Sequence, residues 1–151
     1  MTTLVVDELK TTLTQTFTLN LNRRYNIGAV RPLIYMHNAP SGTFTLSIKS
    51  GANTLASKSF TSSDIKSDLS TSDNYAWIWK AVSFDNVIQL SNGSYTLELS
   101  SSGYSYSASS YLGWIKEHEN QFNEISGTPL SDFDNPYSFQ LFEHRRPESF
   151  L

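Results

Sequence analysis

The sequence predicts an all-β protein: a single antiparallel β-sandwich of the jelly-roll type, with about eight or nine strands and one or two short helical turns. Two patterns predict this fold class. First, apolar and polar residues alternate from Leu13 to Asn22, and a strand that alternates in this way buries one face and exposes the other to water. Second, clusters of Gly, Asn and Pro recur at intervals of about 8–12 residues, as they do in sandwiches of short strands.

Nine segments are expected to be strands, because they combine β-branched or aromatic residues with short, turn-bounded lengths. In chain order they are 13–22, 30–36, 43–49, 54–60, 76–84, 87–90, 94–100, 111–116 and 137–145. The turn at 50–53 predicts that the third and fourth segments form a hairpin. Pro32 predicts that the second segment lies at a sheet edge or that the proline is near the strand start.

Two segments break the period of two. The residues from Ser63 to Leu69 are expected to form a helical turn capped by Ser62 or Ser63, since a serine side chain accepts from the first free amides of a helix. A second short turn is expected from Asp7 to Thr12.

The predicted core consists of the apolar residues on one face of their strands, since a shift of one residue would expose all of them. They are Phe17, Leu19, Leu21, Phe44, Leu46, Ile48, Leu97, Leu99, Phe139 and Leu141.

The chain is divided into an N-terminal arm (1–12), a sandwich domain (13–145) and a C-terminal tail (146–151), and 151 residues are enough for one domain. Both ends carry apolar residues, and two interpretations stay open. The ends are frayed or form a covering strand, or they are arms that dock on a neighbouring subunit. The second interpretation makes these residues the candidate assembly contacts: Leu4, Val5, Val6, Phe150 and Leu151.

Composition indicates a setting more clearly than an activity. Of the 151 residues, 49 are Ser, Thr or Asn, and surfaces of such small uncharged groups are typical of secreted binding modules and virus particles. A net charge of −3 provides no basic field, which argues against nucleic acid as a partner. No window approaches the roughly 20 apolar residues of a membrane span, and the N-terminal residues do not have the pattern of a signal peptide.

No pattern predicts an enzyme, a metal site or a cofactor. There is no cysteine and no Gly-x-Ser-x-Gly motif. The charged cluster 117–119 does not have the ligand spacing of a zinc site. The cluster 132–135 resembles the start of a calcium loop but has neither its glycine nor its distal glutamate, and a turn that bonds its own backbone explains it equally well.

Five aromatic residues are the candidate glycan contacts, because Trp and Tyr offer an apolar face and a polar tip. They are Trp77, Trp79, Tyr104, Tyr106 and Trp114. The alternative is that at least one of the tryptophans fills the core, since tryptophan is highly buried on average.

Several phrases occur in an order that resembles a known group of proteins. They are Pro40-Ser-Gly-Thr-Phe-Thr-Leu-Ser-Ile48, Leu90-Ser-Asn-Gly-Ser-Tyr-Thr-Leu-Glu-Leu99 and Tyr111-Leu-Gly-Trp114, after a Gln-Thr-Phe opening strand. This order is similar to that of jelly-roll sandwiches related to carbohydrate-binding modules, which occur in tailed-bacteriophage virion proteins and secreted bacterial proteins. The resemblance spans about 13–145, implies a virion or sugar-binding context and transfers no catalytic residue.

The first functional hypothesis is therefore a structural protein of a bacteriophage virion, a capsid decoration (cement) protein. Its expected partner is the major capsid protein, with a homo-oligomer also compatible. The alternative is a tail- or fibre-associated, or secreted, carbohydrate-binding module whose partners are surface glycans.

Overall fold

The computed structural model describes residues 4–20, 22–117, 123–126, 128–130 and 137–143. They form two sheets and one short helix. The elements are β1 (Leu4–Glu8), β2 (Leu13–Leu19), β3 (Tyr25–His37), β4 (Thr43–Ser50), β5 (Asn53–Phe60), α1 (Ser62–Asp68), β6 (Ala76–Trp79), β7 (Val82–Leu90), β8 (Gly93–Ser102), β9 (Tyr111–Glu117), β10 (Glu124–Ile125), β11 (Thr128–Pro129) and β12 (Phe139–Glu143).

The strands pair in a nested series that confirms the predicted jelly roll. β1 pairs with β9, β2 with β8, β3 with β6 and β7, and β4 with β5. The smaller sheet has the order β2-β8-β4-β5, and the larger one is built around β1-β9-β3-β12. From β1 to β4 successive strands alternate between the larger and the smaller sheet, and β7, β8 and β9 alternate again. The chain therefore crosses repeatedly between the two sheets, which is how a jelly roll encloses a single core.

The core lies between the sheets and is formed by the predicted residues. All those that lie in the described part of the chain are at most 1% exposed; Leu21 lies outside it. Phe17 of the smaller sheet contacts Phe139 of the larger one, with 5.8 Å between ring centroids. The period of two therefore identified the buried face correctly.

The strand count is higher than expected. The described residues contain twelve strands, because β1, β10 and β11 join the nine expected ones, all three in the larger sheet. The predicted strands 76–84 and 87–90 are divided differently, as β6 and β7. β10 pairs in parallel with β12, so the sandwich is not wholly antiparallel. β3 is a central strand that begins at Tyr25, so the expectation drawn from Pro32 that 30–36 is an edge or begins near the proline is wrong.

The helical segment 63–69 is confirmed as α1, but its cap is Thr61 rather than a serine. Thr61 Oγ1 accepts from the Asp64 amide at 3.3 Å, and an Asp64 carboxylate oxygen accepts from the Thr61 amide at 2.9 Å. This reciprocal capping box satisfies two amides that the helix itself leaves free.

The N-terminal segment is a strand of the sandwich, not a helical turn or a free arm. β1 pairs with β9 from Leu4 to Glu8. Leu9, which follows it, is 1% exposed in the core, and its amide donates to the Leu112 carbonyl at 2.8 Å. Of the interpretations left open for this end, the covering strand is the one that the described residues adopt.

We expect Leu9→Ala to lower the free energy of unfolding by about 2–5 kcal/mol, since it removes a fully buried leucine and leaves a cavity. Urea unfolding of both proteins measures the difference, with Thr11→Ala at an exposed neighbouring position as the control. A loss below about 1 kcal/mol would show that this segment packs outside the core.

Candidate functional site

Six aromatic rings form a continuous surface on the outer face of the larger sheet, which we call the aromatic strip. Neighbouring ring centroids lie 4.7–6.0 Å apart. The members of the strip are Tyr35, His37, Tyr75, Trp77, Tyr106 and Tyr111. They come from β3, β6, β9 and two adjoining loops, so the strip runs across the strands.

Alternation along β3 directs two of these rings outward. Ile34 and Met36 are fully buried in the core, so Tyr35 and His37 point to the opposite face. The register then places Trp77 of β6 beside Tyr35 on one side. On the other side, His37 lies opposite Tyr111 of β9. The cross-strand pairing therefore assembles the strip from residues far apart in the chain.

The rings hold one another in place. His37 stacks on Tyr111 with 4.7 Å between centroids and 12° between planes, and Tyr75 meets His37 edge-on at 5.0 Å. The Tyr35 hydroxyl and His37 Nδ1 share a hydrogen bond of 2.9 Å. Stacked and edge-to-face pairs of this kind are favourable arrangements of aromatic rings, so these rings restrict one another's orientation.

Two members of the strip are strongly exposed: Tyr75 and Trp77 each have 53% of their surface open to solvent. The other four are half-buried. A contiguous aromatic surface of this kind is more informative than single exposed apolar residues, because such patches mark interaction sites.

At the other end, the strip is fastened to β1. The Tyr106 hydroxyl donates to Glu8 Oε1 at 2.8 Å, and this bond raises the pKa of Tyr106. Lys10 pairs with the same carboxylate at 3.6 Å, and its Nζ lies 5.1 Å from the Tyr106 ring centroid. The charged groups at this end are thus paired with each other.

Gly113 lies in the middle of the strip. On β9 it stands opposite Tyr35 of β3 and opposite Glu8 of β1. A Cβ at this position would overlap Val6 Cγ1, so a larger residue would push β1 away from the sheet. Glycine therefore permits the close approach of the edge strand.

The predicted glycan contacts lie in different environments in the structure. Trp77 and Tyr106 belong to the strip, and Trp79 lies half-buried two residues from Trp77 on the same face of β6. Trp114 is fully buried, stacks on Tyr137 at 4.7 Å and donates from Nε1 to the Ser138 carbonyl at 2.9 Å. Its assignment as a glycan contact is wrong, and it is the tryptophan that fills the core.

Tyr104 also has a structural position. Its hydroxyl donates to the Leu9 carbonyl at 2.8 Å and accepts from the Leu112 amide at 3.3 Å, while its ring meets Phe44 edge-on at 5.2 Å. It ties the Ser/Gly-rich loop before β9 to the end of β1.

Four members of the strip were missed: Tyr35, His37, Tyr75 and Tyr111. The period of two could have shown that Tyr35 and His37 share a face. The sequence contains no local signal that pairs this face with the strands of Trp77 and Tyr111, since that depends on long-range register.

The candidate assembly contacts at the N-terminus lie on β1. Val5 is 39% exposed, whereas Val6 is half-buried against Gly113. Leu4 is described only as part of the strand, and Phe150 and Leu151 lie outside the described residues.

The described residues contain no cluster of three acidic or histidine side chains that could hold a metal ion, and the clusters at 118–119 and 132–135 lie outside them. Within the same residues, no helix has the length and hydropathy needed to cross a membrane. No protein-family model, curated protein or solved structure matches this chain.

Stability is expected to fall as the pH rises above about 10, the ordinary pKa of tyrosine. Burial, together with the 2.5 Å hydrogen bond to Asp7, raises the pKa of Tyr137, and burial raises the pKa of Tyr104 and Tyr111. The folded state therefore holds neutral phenols that the unfolded chain ionises first. Their contribution is complete below pH 10 and is lost as the pH rises towards the folded pKa.

The free energy of unfolding in urea, measured at a series of pH values from 8 upwards, tests this prediction. Tyr137→Phe is the comparison. The variant should lose stability less steeply with pH than the wild type. If the free energy of unfolding falls equally steeply with pH in the two proteins, Tyr137 does not contribute to this loss of stability.

Proposed function

We propose that this chain is a glycan-binding β-sandwich module that contacts its ligand through the aromatic strip. The observation that carries the proposal is the contiguity of six rings on one outer sheet face, two of them 53% exposed. A sugar ring has an apolar face of C–H groups, which stacks on aromatic rings, and hydroxyls that bond to polar ring tips. Tyrosine hydroxyls and the His37 ring supply such tips.

The restricted motion of the rings in the strip favours glycan binding. Association is weakened when side chains lose freedom on contact with the ligand. Here the Tyr35–His37 hydrogen bond and the stacking of His37 on Tyr111 already restrict the central rings. The surface can therefore accept a ligand with little further loss of side-chain entropy.

The charged groups beside the strip and the length of the strip indicate which class of glycan it would bind. The charged groups at the strip, Glu8 and Lys10, pair with one another at one end, and recognition of an anionic sugar calls for cationic groups that face the ligand. The rings on β6, β3 and β9 span two strand spacings, or roughly 10 Å, and Tyr106 extends the strip towards β1, to which it is hydrogen-bonded. An uncharged oligosaccharide that lies across the strands fits these dimensions.

The setting that we propose is a virion surface, with a tail or fibre position rather than a purely structural one. Two observations support it: a composition in which 49 of 151 residues are Ser, Thr or Asn, and the resemblance of the strand-and-turn phrases to phage and secreted sandwich modules. Glycan binding by such a module would bring the particle to its host surface.

Trp77→Ala is expected to weaken glycan binding about five- to twelvefold, because loss of one stacked ring removes about 1–1.5 kcal/mol of favourable contact. A neutral glycan library identifies a ligand for the wild type, and titration calorimetry measures its affinity for each variant. Val87→Ala, at an exposed apolar position on β7, is the matched control and should bind normally. Trp77→Phe should retain part of the affinity.

Tryptophan fluorescence provides a second measurement, because Trp77 is exposed whereas Trp114 is buried. Ligand should change the emission of the wild type more than that of Trp77→Phe, which keeps the half-buried Trp79 on the same face. If no glycan binds, or if Trp77→Ala and Val87→Ala bind equally well, the proposal is wrong.

One observation favours a second candidate, a capsid decoration protein. β1 is an edge strand of the larger sheet and carries Val5, which is 39% exposed. An exposed apolar side chain at a sheet edge buries its surface when a neighbouring protein covers it, so Val5 is the candidate contact with the major capsid protein.

The decoration candidate predicts that Val5→Asp reduces binding to assembled capsids, whereas Val87→Asp does not, as measured by co-sedimentation. A point substitution is preferable to deletion of 1–11, since Leu9 belongs to the core. Full occupancy by both variants would exclude this edge as the contact.

A further inference from the structure

Within the described part of the chain, β2 is an edge strand without the charges, prolines or bulges that usually protect an edge. It ends the smaller sheet, and no strand among the described residues pairs with its outer edge. Its seven residues, Leu13–Leu19, contain no charge, no proline and no glycine. Its pairing with β8 keeps one register from end to end, without a bulge.

The edges β1 and β5 are protected by comparison. β1 carries Asp7 and Glu8. β5 carries Lys58, and its pairing with β4 shifts register between Ile48 and Lys49. Charges and bulges of this kind are how natural sheets prevent unwanted pairing, and a long regular uncharged edge invites another strand.

We propose that β2 pairs antiparallel with β2 of a second copy of this chain, about a twofold axis through Thr16. The side-chain alternation selects this register: Phe17 and Leu19 must stay on the core face. Only pairings that place threonine opposite threonine keep them there, and the one centred on Thr16 uses the whole strand. It sets Thr14 of each copy opposite Thr18 of the other.

A second copy of this chain is the pairing partner that suits the β2 edge best. An uncharged strand meets its own copy without like-charge repulsion, and a twofold axis gives a closed, self-complementary contact. The outer face already forms the side-chain bonds that such pairing would repeat: Thr18 and Ser94 hydroxyls lie 3.1 Å apart, and Thr45 and Ser59 hydroxyls lie 2.8 Å apart.

Backbone groups at this edge can be satisfied by the partner. The Thr16 carbonyl accepts an exposed hydrogen bond from the side-chain amide of Gln15 at 2.9 Å. In the dimer, strand amides would supply donors along the edge, and the two smaller sheets would join into one of eight strands.

Sedimentation velocity over a concentration series tests the proposal on the full chain. The wild type should show a monomer–dimer equilibrium. Thr14→Lys with Thr18→Lys places lysine opposite lysine twice and should raise the dissociation constant at least about tenfold. Thr14→Lys with Thr18→Glu places lysine opposite glutamate twice in this register, and should dimerise as the wild type does.

The control is Thr43→Lys with Thr45→Lys, on the same sheet face but on the inner strand β4; it should still dimerise. If the doubly lysine-substituted β2 does not fold, Thr16→Lys, which faces its own copy on the axis, replaces it. A wild type that stays monomeric at the highest attainable concentration, or forms open aggregates, overturns the proposal. So does equal dimerisation of the Lys/Lys and Lys/Glu variants.

Discussion

The structure depends on one strand, β3, and on the alternation of its side chains. Its thirteen residues pair with β6 and β9 at one end and with β7 and β12 at the other. Ile34 and Met36 enter the core while Tyr35 and His37 face outward. The alternation of side chains along β3 therefore supplies both core residues and residues of the aromatic strip. A shift of one residue in its pairing would disrupt both.

Much of the fold is predictable because the information is local. Alternation around Phe17, Leu46 and Leu97 identified buried faces, and all three are at most 1% exposed. β1 could not be predicted in the same way. Leu4–Glu8 has three apolar residues followed by two acidic ones, so no alternation marks it as a strand. Its structure is decided by pairing with β9, more than a hundred residues away, and by the burial of Leu9.

The candidate site was only partly predictable for a related reason. Residue type identifies Trp77 and Trp114 equally well as candidates, yet one is 53% exposed and the other is fully buried. The difference comes from which face of a strand meets the opposite sheet. That face is fixed by cross-strand register, such as Tyr35 beside Trp77, and a single sequence contains no local signal for it.

β1 connects the fold to the site. Leu9, which follows β1, lies in the core; Glu8 of β1 accepts a hydrogen bond from Tyr106 of the aromatic strip, and Val6 lies against Gly113. The loop before β9 is rich in serine and glycine and so has little apolar surface of its own to bury. Tyr104 and Tyr106 hold it in place by donating to the Leu9 carbonyl, just after β1, and to the Glu8 carboxylate of β1, at 2.8 Å each. Because the same segment of the chain completes the core and holds Tyr106, the Tyr106 end of the strip is in place only when β1 is paired into the sandwich.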